Sequence, residues 1–211
     1  MSAQQEGMTR TEVLKASPPM FDSRLLDALS RVHPIVPVVL FLPAIAILFA
    51  IGTERVGTLS WLALPAAGYL FWTLTEYWMH RIVFHFEPED GIGARLHWII
   101  HGVHHDHPND PMRLVMPPSV SVPLALVFYV GFLVVLGGSA APAFGAGFLA
   151  GYLIYDMTHY HVHHKKARTR LGRLLYELHM RHHFQDDTIG YGISAPYWDR
   201  VFGTATRRRR G

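Results

Sequence analysis

The chain has 211 residues, of which 50% are hydrophobic and 17% are charged, and its formal net charge is +3. Soluble domains carry about a quarter of charged residues, so this composition does not fit an ordinary soluble domain. Cysteine is absent, which excludes disulfides, thiolate metal ligands and a cysteine nucleophile. Any metal must therefore be held by nitrogen and oxygen ligands.

The amino-terminal segment is polar and ends at Pro18-Pro19. Because it lacks periodicity, we expect residues 1–20 to form a loosely ordered arm. Residues 21–211 are predicted to form a single domain without internal repeats. From Phe21 to Val32, leucines recur at helical spacing, which predicts a short interfacial helix ahead of the first apolar run.

Four apolar runs are long enough, or nearly so, to cross a bilayer, which needs roughly twenty residues at helical rise. They cover residues 34–51, 59–79, 118–137 and 140–157. The turns within each pair are too short to hold a folded unit. The pattern predicts an all-α integral membrane protein with four transmembrane helices in two hairpins. A helical cap is predicted on the face that receives both termini and residues 81–117.

Basic residues lie mostly on that same face. The positive-inside rule then places this face in the cytoplasm. The expected membrane is a bacterial inner membrane or, for a eukaryotic chain, the endoplasmic reticulum membrane. The first apolar run follows a polar, amphipathic stretch and lacks a cleavage pattern, which indicates an anchor rather than a removable signal peptide. The run Arg207-Arg208-Arg209-Arg210 is interpreted as contacting anionic lipid headgroups rather than nucleic acid.

Histidine is the most informative residue type, since the chain holds 15. Ten of them form four groups near the ends of apolar helical segments: His80 and His85; His101, His104 and His105; His159 and His163; and His179, His182 and His183. Imidazole is a common ligand for iron, zinc and copper, and a helix places residues three and four apart on one face. Ten ligands exceed the four to six, roughly, that one first-row ion takes, so the sequence predicts two metal ions.

The pair His80 and His85 departs from helical spacing. Five steps of about 100° leave the two rings roughly 140° apart on a regular helix. One of them is therefore predicted to lie beyond a helix end or on a distorted turn. Residues 95–105 and 171–182, by contrast, keep helical spacing.

The alternative to a metal centre is a histidine-rich surface that binds metal only incidentally. Such tracts are normally contiguous and unstructured, unlike these four groups.

Three further residues flank the candidate ligands. Glu76, one helical turn before the first of them, could accept the second imidazole proton; its alternative is a carboxylate that reaches the membrane interface. His97, one turn before His101, could be an eleventh ligand, but hydrogen bonding outside the ligand set is favoured. Asp156, three residues before His159, is a candidate hydrogen-bond acceptor, because an unpaired carboxylate so near a membrane is costly. Three histidines are predicted not to be ligands: His107, His161 and His164. Of these, His107 is expected to be a solvated loop residue.

This ligand set limits the chemistry. A zinc hydrolase usually has three protein ligands and one open position, so ten imidazoles are too many for it. A pair of metal ions that activates dioxygen fits better, and with iron it could hydroxylate an unactivated C–H bond without an acid, base or nucleophile from the protein. We therefore predict no catalytic residue beyond the ligands. A lipid chain could enter the site from the bilayer, each buried methylene contributing about 0.8 kcal/mol.

Six stretches carry a family resemblance: His80 to His85, His101 to His105, Arg113 to Pro118, Tyr155 to Tyr160 with His163, His179 to His183, and Gly190 to Ser194 with Trp198 and Asp199. Together they resemble the fatty acid hydroxylase superfamily, and more closely its fatty acid 2-hydroxylase branch, across about residues 76–203. The resemblance implies a multi-span enzyme with a histidine-ligated dimetal centre, usually regarded as di-iron. It implies hydroxylation of carbon 2 of a free or sphingolipid-linked acyl chain, and the same ten ligands by position.

The same resemblance suggests where substrate and electrons enter. Arg113, Met116 and Pro117 lead into the third span and are expected to shape the substrate entrance; a plain membrane-entry turn is the alternative. Many eukaryotic members carry a fused cytochrome b5 domain, whereas His33-Pro34 is not followed by the paired glycines of that haem motif. We therefore expect a separate electron donor, such as a cytochrome b5-like protein, a ferredoxin or a reductase.

Two other functions stay open. A carotenoid or sterol hydroxylase, or a desaturase, could use the same histidine spacing, and only the flanking motifs favour acyl 2-hydroxylation. A non-catalytic membrane metal-binding protein would need ligands that reach through the bilayer, whereas the segment from Pro118 to Tyr155 is almost free of ionisable groups. Iron is the expected metal, although zinc could occupy the same nitrogen ligands in purified protein.

Overall fold

The computed structural model describes residues 7–206, and within them the regular elements are all helical. The α-helices are α1 (Arg10–Lys15), α2 (Arg24–Leu29), α3 (Ile35–Arg55), α4 (Thr58–Trp78), α5 (Gly91–His97), α6 (Val103–Asp106), α7 (Pro118–His164), α8 (Arg170–Phe184) and α9 (Tyr197–Val201). Two short π-helical segments, Met79–Phe84 and Trp98–Gly102, adjoin them. The predicted all-α class is confirmed. The predicted lipid contact of residues 207–210 lies outside the described part of the chain.

The long α7 is a hairpin that forms the scaffold of the fold. Its backbone breaks at Gly137, where φ is +74°, a conformation that glycine adopts without steric cost. Phenylalanine rings on the two sides of the break pack together, with centroids 4.9 Å apart for Phe132 and Phe144 and 4.8 Å apart for Phe128 and Phe148. The two arms therefore run antiparallel, and α7 packs along both α3 and α4.

Small residues allow α4 and the second arm of α7 to approach closely. A Cβ at Gly68 would collide with the carbonyl of Phe144, and one at Gly147 would collide with the carbonyl of Pro65. Such close backbone contacts are typical of helices that pack within membranes. A mainly aromatic core fills the remaining space between the helices: Phe41, Trp72, Phe132, Ala141, Phe148, Leu149, Tyr152, Tyr155 and Ile193.

The outer surface of this bundle is apolar. Within residues 7–206, two helical stretches are long and apolar enough to cross a membrane: Ile35–Gly52, with mean hydropathy 2.7, and Pro118–His164, with 2.4. Apolar side chains stay exposed around the bundle, as at Leu59 (82% exposed) and Val134 (80%). An apolar exterior of this kind is typical of a surface that contacts lipid rather than water.

The amino-terminal segment makes more contacts than its composition predicts. α1 begins with a capping box formed by Thr9 and Glu12. The carbonyl of Leu14 accepts from the backbone N–H of Asn109 at 2.9 Å, and the carbonyl of Val13 accepts from Nδ1 of His107 at 2.5 Å. Residues 7–20 thus supply partners for polar groups of the loop after α6. A polar composition does not reveal such docking, because backbone carbonyls of any residue type can provide it.

We predict that Gly147→Ala destabilises the bundle, because the added Cβ would collide with the carbonyl oxygen of Pro65 and the helices would have to separate. Overpacking of this kind costs about 1–3 kcal/mol. Thermal unfolding in detergent should show a lower midpoint for this variant. The matched control is Gly131→Ala, where a Cβ would meet nothing within 4 Å and alanine favours the helix. Equal midpoints for the two variants would contradict the close approach.

Candidate metal centre

A π-helical segment brings the first two candidate ligands together. α4 continues into Met79–Phe84, and the backbone N–H of His85 donates to the carbonyl of His80 at 3.2 Å. A bond to the fifth residue back marks a π-turn, which places those two residues on one face. The Nε2 atoms of the two rings lie 3.3 Å apart. The predicted distortion between them is confirmed.

The next three ligands come from the second π-helical segment and α6. His101 is buried in Trp98–Gly102, and His104 and His105 follow within α6. The sequence predicts one regular helix over residues 95–105. The structure has helical turns throughout this stretch, but the π-turns widen it and rotate His101 relative to a regular helix.

The ends of α7 and α8 supply the remaining five ligands. His159 and His163 are four residues apart in the last turns of α7. Three more lie in the last turns of α8: His179, His182 and His183. Helical spacing turns each set toward one side, as predicted.

The ten predicted ligands converge into two groups, and within each group the nearest ligand atoms all lie within 4.8 Å of one another. Group one consists of His80, His85, His101, His105 and His182. Group two consists of His104, His159, His163, His179 and His183. Among the described residues, each group draws on several separate chain segments.

Neighbours in the sequence are divided between the two groups. His101 and His105 lie in group one, whereas His104 lies in group two. In α8, His182 belongs to group one and the other two histidines belong to group two. The rings of His105 and His183 have centroids 4.4 Å apart at the boundary. α6 and α8 therefore serve both groups, so the groups are adjacent.

The spacing of the ligand atoms fits a metal ion in each group. Nε2–Nε2 distances between neighbouring rings run from 2.8 Å, for His163 and His179, to 3.3 Å. Imidazole nitrogens bind an ion at about 2.0–2.1 Å, so adjacent ligands at a right angle lie about 3 Å apart. Two nitrogen lone pairs at this distance repel each other unless a proton or a cation lies between them. Five imidazoles with no carboxylate or thiolate form a donor set that suits iron, zinc or copper.

Burial keeps these imidazoles uncharged. The pKa of His85 is lowered to about 3 by loss of solvent and by the neighbouring imidazoles of His182 and His105. Loss of solvent likewise lowers the pKa of His105 to about 3. At neutral pH both rings therefore present free lone pairs, which is the form that binds metal.

Hydrogen bonds to the loop 189–195 fix two rings of group one. Nδ1 of His80 lies 2.7 Å from the carbonyl oxygen of Tyr191, and Nδ1 of His182 lies 2.8 Å from that of Ile189. The residue pattern does not identify these carbonyls, because any residue type can provide one. The surrounding glycines, Gly190 and Gly192, are the available signal, since glycine often marks a close approach of backbone.

The two predicted flanking carboxylates contact groups other than histidines. Glu76 accepts from the backbone N–H of Ser194 at 2.7 Å and from its hydroxyl, rather than from His80. The carboxylate of Asp156 lies 3.4 Å from the backbone nitrogen of Met116 and 3.4 Å from the hydroxyl of Tyr152. Both carboxylates are buried, and their hydrogen-bond donors are these backbone and hydroxyl groups rather than histidines.

His97 contacts the site indirectly. Its Nε2 lies 3.7 Å from Oε1 of Glu87, and the same oxygen lies 3.6 Å from Nδ1 of His85. Neither His161 nor His164 belongs to the two groups, and His161 is exposed. His107, predicted as a solvated loop residue, is instead buried at 5% exposure by the amino-terminal segment.

An apolar cavity of about 290 Å³ reaches both groups. Its wall includes His101 of group one and His104 and His159 of group two. The rest of its lining comes mainly from the segment around α2, the π-helical segments and the start of α7: Met20, Phe21, Leu26, Leu29, Ser30, Phe84, Ile99, Ile100, Val103, Arg113, Leu114, Val115, Met116, Pro117, Ser119, Val120, Tyr155 and Asp156. The three residues expected at a substrate entrance are all part of this lining.

We predict that the metal-free protein loses stability as the pH falls from about 6.5 toward 3. The histidine pKa values are lowered in the folded chain, so the unfolded chain binds more protons in this window and stability rises with pH. Thermal unfolding of chelator-treated protein should therefore show a falling midpoint between pH 7 and pH 5. A midpoint that rises on acidification would contradict the burial of uncharged rings. The variant His161→Ala, at an exposed ring, should keep the same pH dependence.

Comparisons with known proteins agree with this geometry. A sequence profile described as fatty acid hydroxylase matches residues 65–204. The chain is 35% identical over 202 residues to a dihydroceramide fatty acyl 2-hydroxylase of Arabidopsis thaliana, covering 95% of this chain and 85% of that protein. It is 36% identical over 193 residues to the ceramide very long chain fatty acid hydroxylase of Saccharomyces cerevisiae, covering 90% of this chain and 50% of that protein.

A solved structure has the same fold. It is that of full-length scs7p, in which only the hydroxylase domain is visible, and it superposes with a TM-score of 0.86 at 36% sequence identity. The match covers 92% of this chain and 74% of the other. The chain thus spans most of the plant relative and half of the yeast one. With the matched profile and the shared fold, the chain belongs to the fatty acid hydroxylase family.

Proposed function

We propose that this protein is a membrane-bound, oxygen-dependent hydroxylase that places a hydroxyl group on carbon 2 of a fatty acyl chain, free or linked to a sphingolipid. The observation that carries the proposal is the apolar cavity whose wall contains histidines of both groups. A chain that lies in it brings a C–H bond to the boundary between two metal sites. The names of the plant and yeast relatives supply the substrate class.

The ten grouped histidines are proposed to hold two iron ions, one in each group. Zinc would suit the same nitrogen donors and is the ion most able to replace iron during purification. When bound, the pair of ions supplies the ability to activate dioxygen, the proposed co-substrate. The residues of this chain need only hold the ions, bind the acyl chain and exclude bulk water, so we assign no separate acid, base or nucleophile.

The cavity is proposed to bind the reacting end of the acyl chain. Its volume of about 290 Å³ lies at the lower end of the range of roughly 300–1,000 Å³ for small-molecule sites. It would hold the first part of a long chain and leave the rest to the bilayer. Arg113, Met116 and Pro117 are proposed to form the entrance, with the guanidinium of Arg113 as the cationic group beside a mainly apolar wall.

The site is proposed to face the cytoplasm beneath a four-span bundle. α3, α4 and the two arms of α7 would be the spans, which places both tight turns at one end. The hydrogen bond from Arg55 to the carbonyl of Gly138, at 3.0 Å, supports this arrangement because it joins those two turns. The metal groups then lie at the other end, where a separate cytochrome b5-like protein, ferredoxin or reductase would deliver electrons. A bacterial inner membrane is the proposed location.

We predict that cells expressing this chain with an active electron donor accumulate 2-hydroxy acyl lipids, measured by mass spectrometry of extracted lipids. The purified protein should hold about two equivalents of iron. His105→Ala and His183→Ala should each reduce the iron to about one equivalent and abolish the product. His161→Ala is the matched control and should change neither value.

Other products would decide between the alternatives. A hydroxylated sterol or carotenoid, or an unsaturated acyl chain in place of the hydroxylated one, would replace the proposed reaction with another on the same scaffold. Two bound ions without any oxidised lipid would favour the non-catalytic metal-binding protein.

We predict that Met116→Trp lowers kcat/KM for acyl substrates by about tenfold or more. In an apolar pocket, space for a single methylene changes the binding free energy of the transition state by roughly 1–3 kcal/mol. The bulkier ring narrows the cavity and replaces no proposed metal ligand. The metal content should stay at the wild-type value. Val134→Trp, at a position 80% exposed on the outer surface, serves as the matched control. Unchanged kinetics for Met116→Trp would remove Met116 from the substrate path.

A further inference from the structure

Two acidic side chains hold the loop 189–195 against the metal centre. The carboxylate of Asp199 accepts from the backbone N–H of Tyr191 at 2.8 Å and from that of Gly192 at 2.9 Å. It also accepts from the hydroxyl of Thr204 at 2.8 Å. On the other side of the loop, Glu76 accepts from the backbone N–H of Ser194. The side chains of Asp199 and Glu76 are both buried, and together they hold the loop at Tyr191, Gly192 and Ser194.

This loop determines which nitrogen of two ligands carries the proton. A backbone carbonyl can only accept, so Nδ1 of His80 and Nδ1 of His182 must each donate to it. The Nε2 of each ring is then left with its lone pair free. These two Nε2 atoms are the ones that face the other rings of group one, as the 3.0 Å distance from His182 to His85 shows. The loop therefore selects the metal-binding tautomer before any ion arrives.

Group two lacks this support among the described residues. Nδ1 of His179 and Nδ1 of His183 are buried without a hydrogen-bond partner there. Their rings can rotate or change tautomer without losing a protein hydrogen bond at Nδ1. The two groups have the same number of imidazoles, so the difference between them lies in what surrounds the rings and not in the ligand count.

The close fit of the loop explains how two distant carboxylates can act on the rings. A Cβ at Gly192 would lie 2.5 Å from the carbonyl oxygen of Ala195 and 2.9 Å from Oδ2 of Asp199. The backbone N–H of Gly190 donates to the carbonyl of Thr204 at 2.8 Å, and Gly190 has φ +80°. Little room is left for the loop to adjust, so a change at Asp199 shifts the carbonyls that the rings contact.

We propose that Asp199 and Glu76 are positioning residues that act through the loop 189–195 to preorganise group one, so that group one binds its ion more tightly than group two and fills first. The proposal rests on the two-ion centre of the proposed function. It concerns affinity and order of loading, and it holds whichever lipid is the substrate.

The test measures zinc affinity in the full-length chain in detergent, because zinc is redox-inert and suits imidazole ligands. Each group is isolated by disabling the other: His183→Ala leaves group one intact, and His85→Ala leaves group two intact. In these two backgrounds, chelator competition should give a tighter zinc site for group one than for group two. Asp199→Asn is then added to each.

The amide introduced by Asp199→Asn has one acceptor oxygen for the two backbone N–H groups that the carboxylate now satisfies, so the loop must shift. We expect this variant to weaken zinc binding about 10–100-fold in the His183→Ala background, the usual effect of losing a partner behind a ligand. Binding in the His85→Ala background should be unchanged. A role confined to general folding would weaken both backgrounds alike, and that result, or no weakening in either, would overturn the proposal.

Three further variants distinguish a failure to fold from a loss of positioning. Glu76→Gln keeps an acceptor for the N–H of Ser194 and should retain group-one affinity, whereas Glu76→Ala should lose it. Glu12→Gln is the matched control, because Glu12 also accepts from a backbone N–H, that of Thr9 at 2.7 Å, but contacts no part of the loop. A parent chain that binds no zinc would overturn the proposal. A parent that binds two ions yet forms no 2-hydroxy lipid would overturn only the proposed function.

Discussion

The interaction on which this structure depends is the mutual approach of ten uncharged imidazoles. Their Nε2 atoms lie about 3 Å apart, as for His85 and His182 at 3.0 Å. The nitrogen lone pairs repel each other at this distance, and a cation between them replaces the repulsion with ligand bonds. α8 shows the consequence: it packs mainly on α7, yet it carries three of the rings. Its position therefore depends on coordination as much as on apolar burial. Metal binding and tertiary structure are coupled in such sites, since a site absent from the unfolded chain contributes its binding free energy to folding.

The two π-helical segments follow from the same requirement. A regular α-helix can turn residues three or four apart toward one point, but not five apart. His80 and His85 both belong to group one, so the helix that carries them must widen by one residue. The π-helical turn Trp98–Gly102 likewise widens its helix and brings His101 toward His80. The Nε2 atoms of these two rings lie 3.2 Å apart. π-turns are uncommon and occur frequently at functional sites, where their energetic cost is offset by geometry that an α-helix cannot supply.

The sequence was sufficient to predict some of these features and not others. Helical spacing selected the ten grouped histidines and predicted the irregularity at His80 and His85. It could not assign rings to ions, because spacing reveals which residues share a face but not which partners come from other segments. The separation of His104 from its neighbours into another group is therefore not predictable from spacing. Glu76 was expected at an imidazole because it is one turn away along the helix. It instead binds Ser194, a residue 118 positions later, and such long-range pairing leaves no local pattern.

The amino-terminal segment illustrates why a surface pattern can conceal part of a site. Leucines of α2 line the cavity, and Asp27 of α2 binds Arg113 at 2.6 Å, with the two side chains 17% and 3% exposed. A buried ion pair gives little net stability, because desolvation offsets most of the attraction. Its effect here is positional, since it fixes the distance between α2 and the start of α7. That distance sets the width of the cavity in front of His101 and His159. A polar contact at the edge of the apolar wall therefore holds that wall in place beside the cavity.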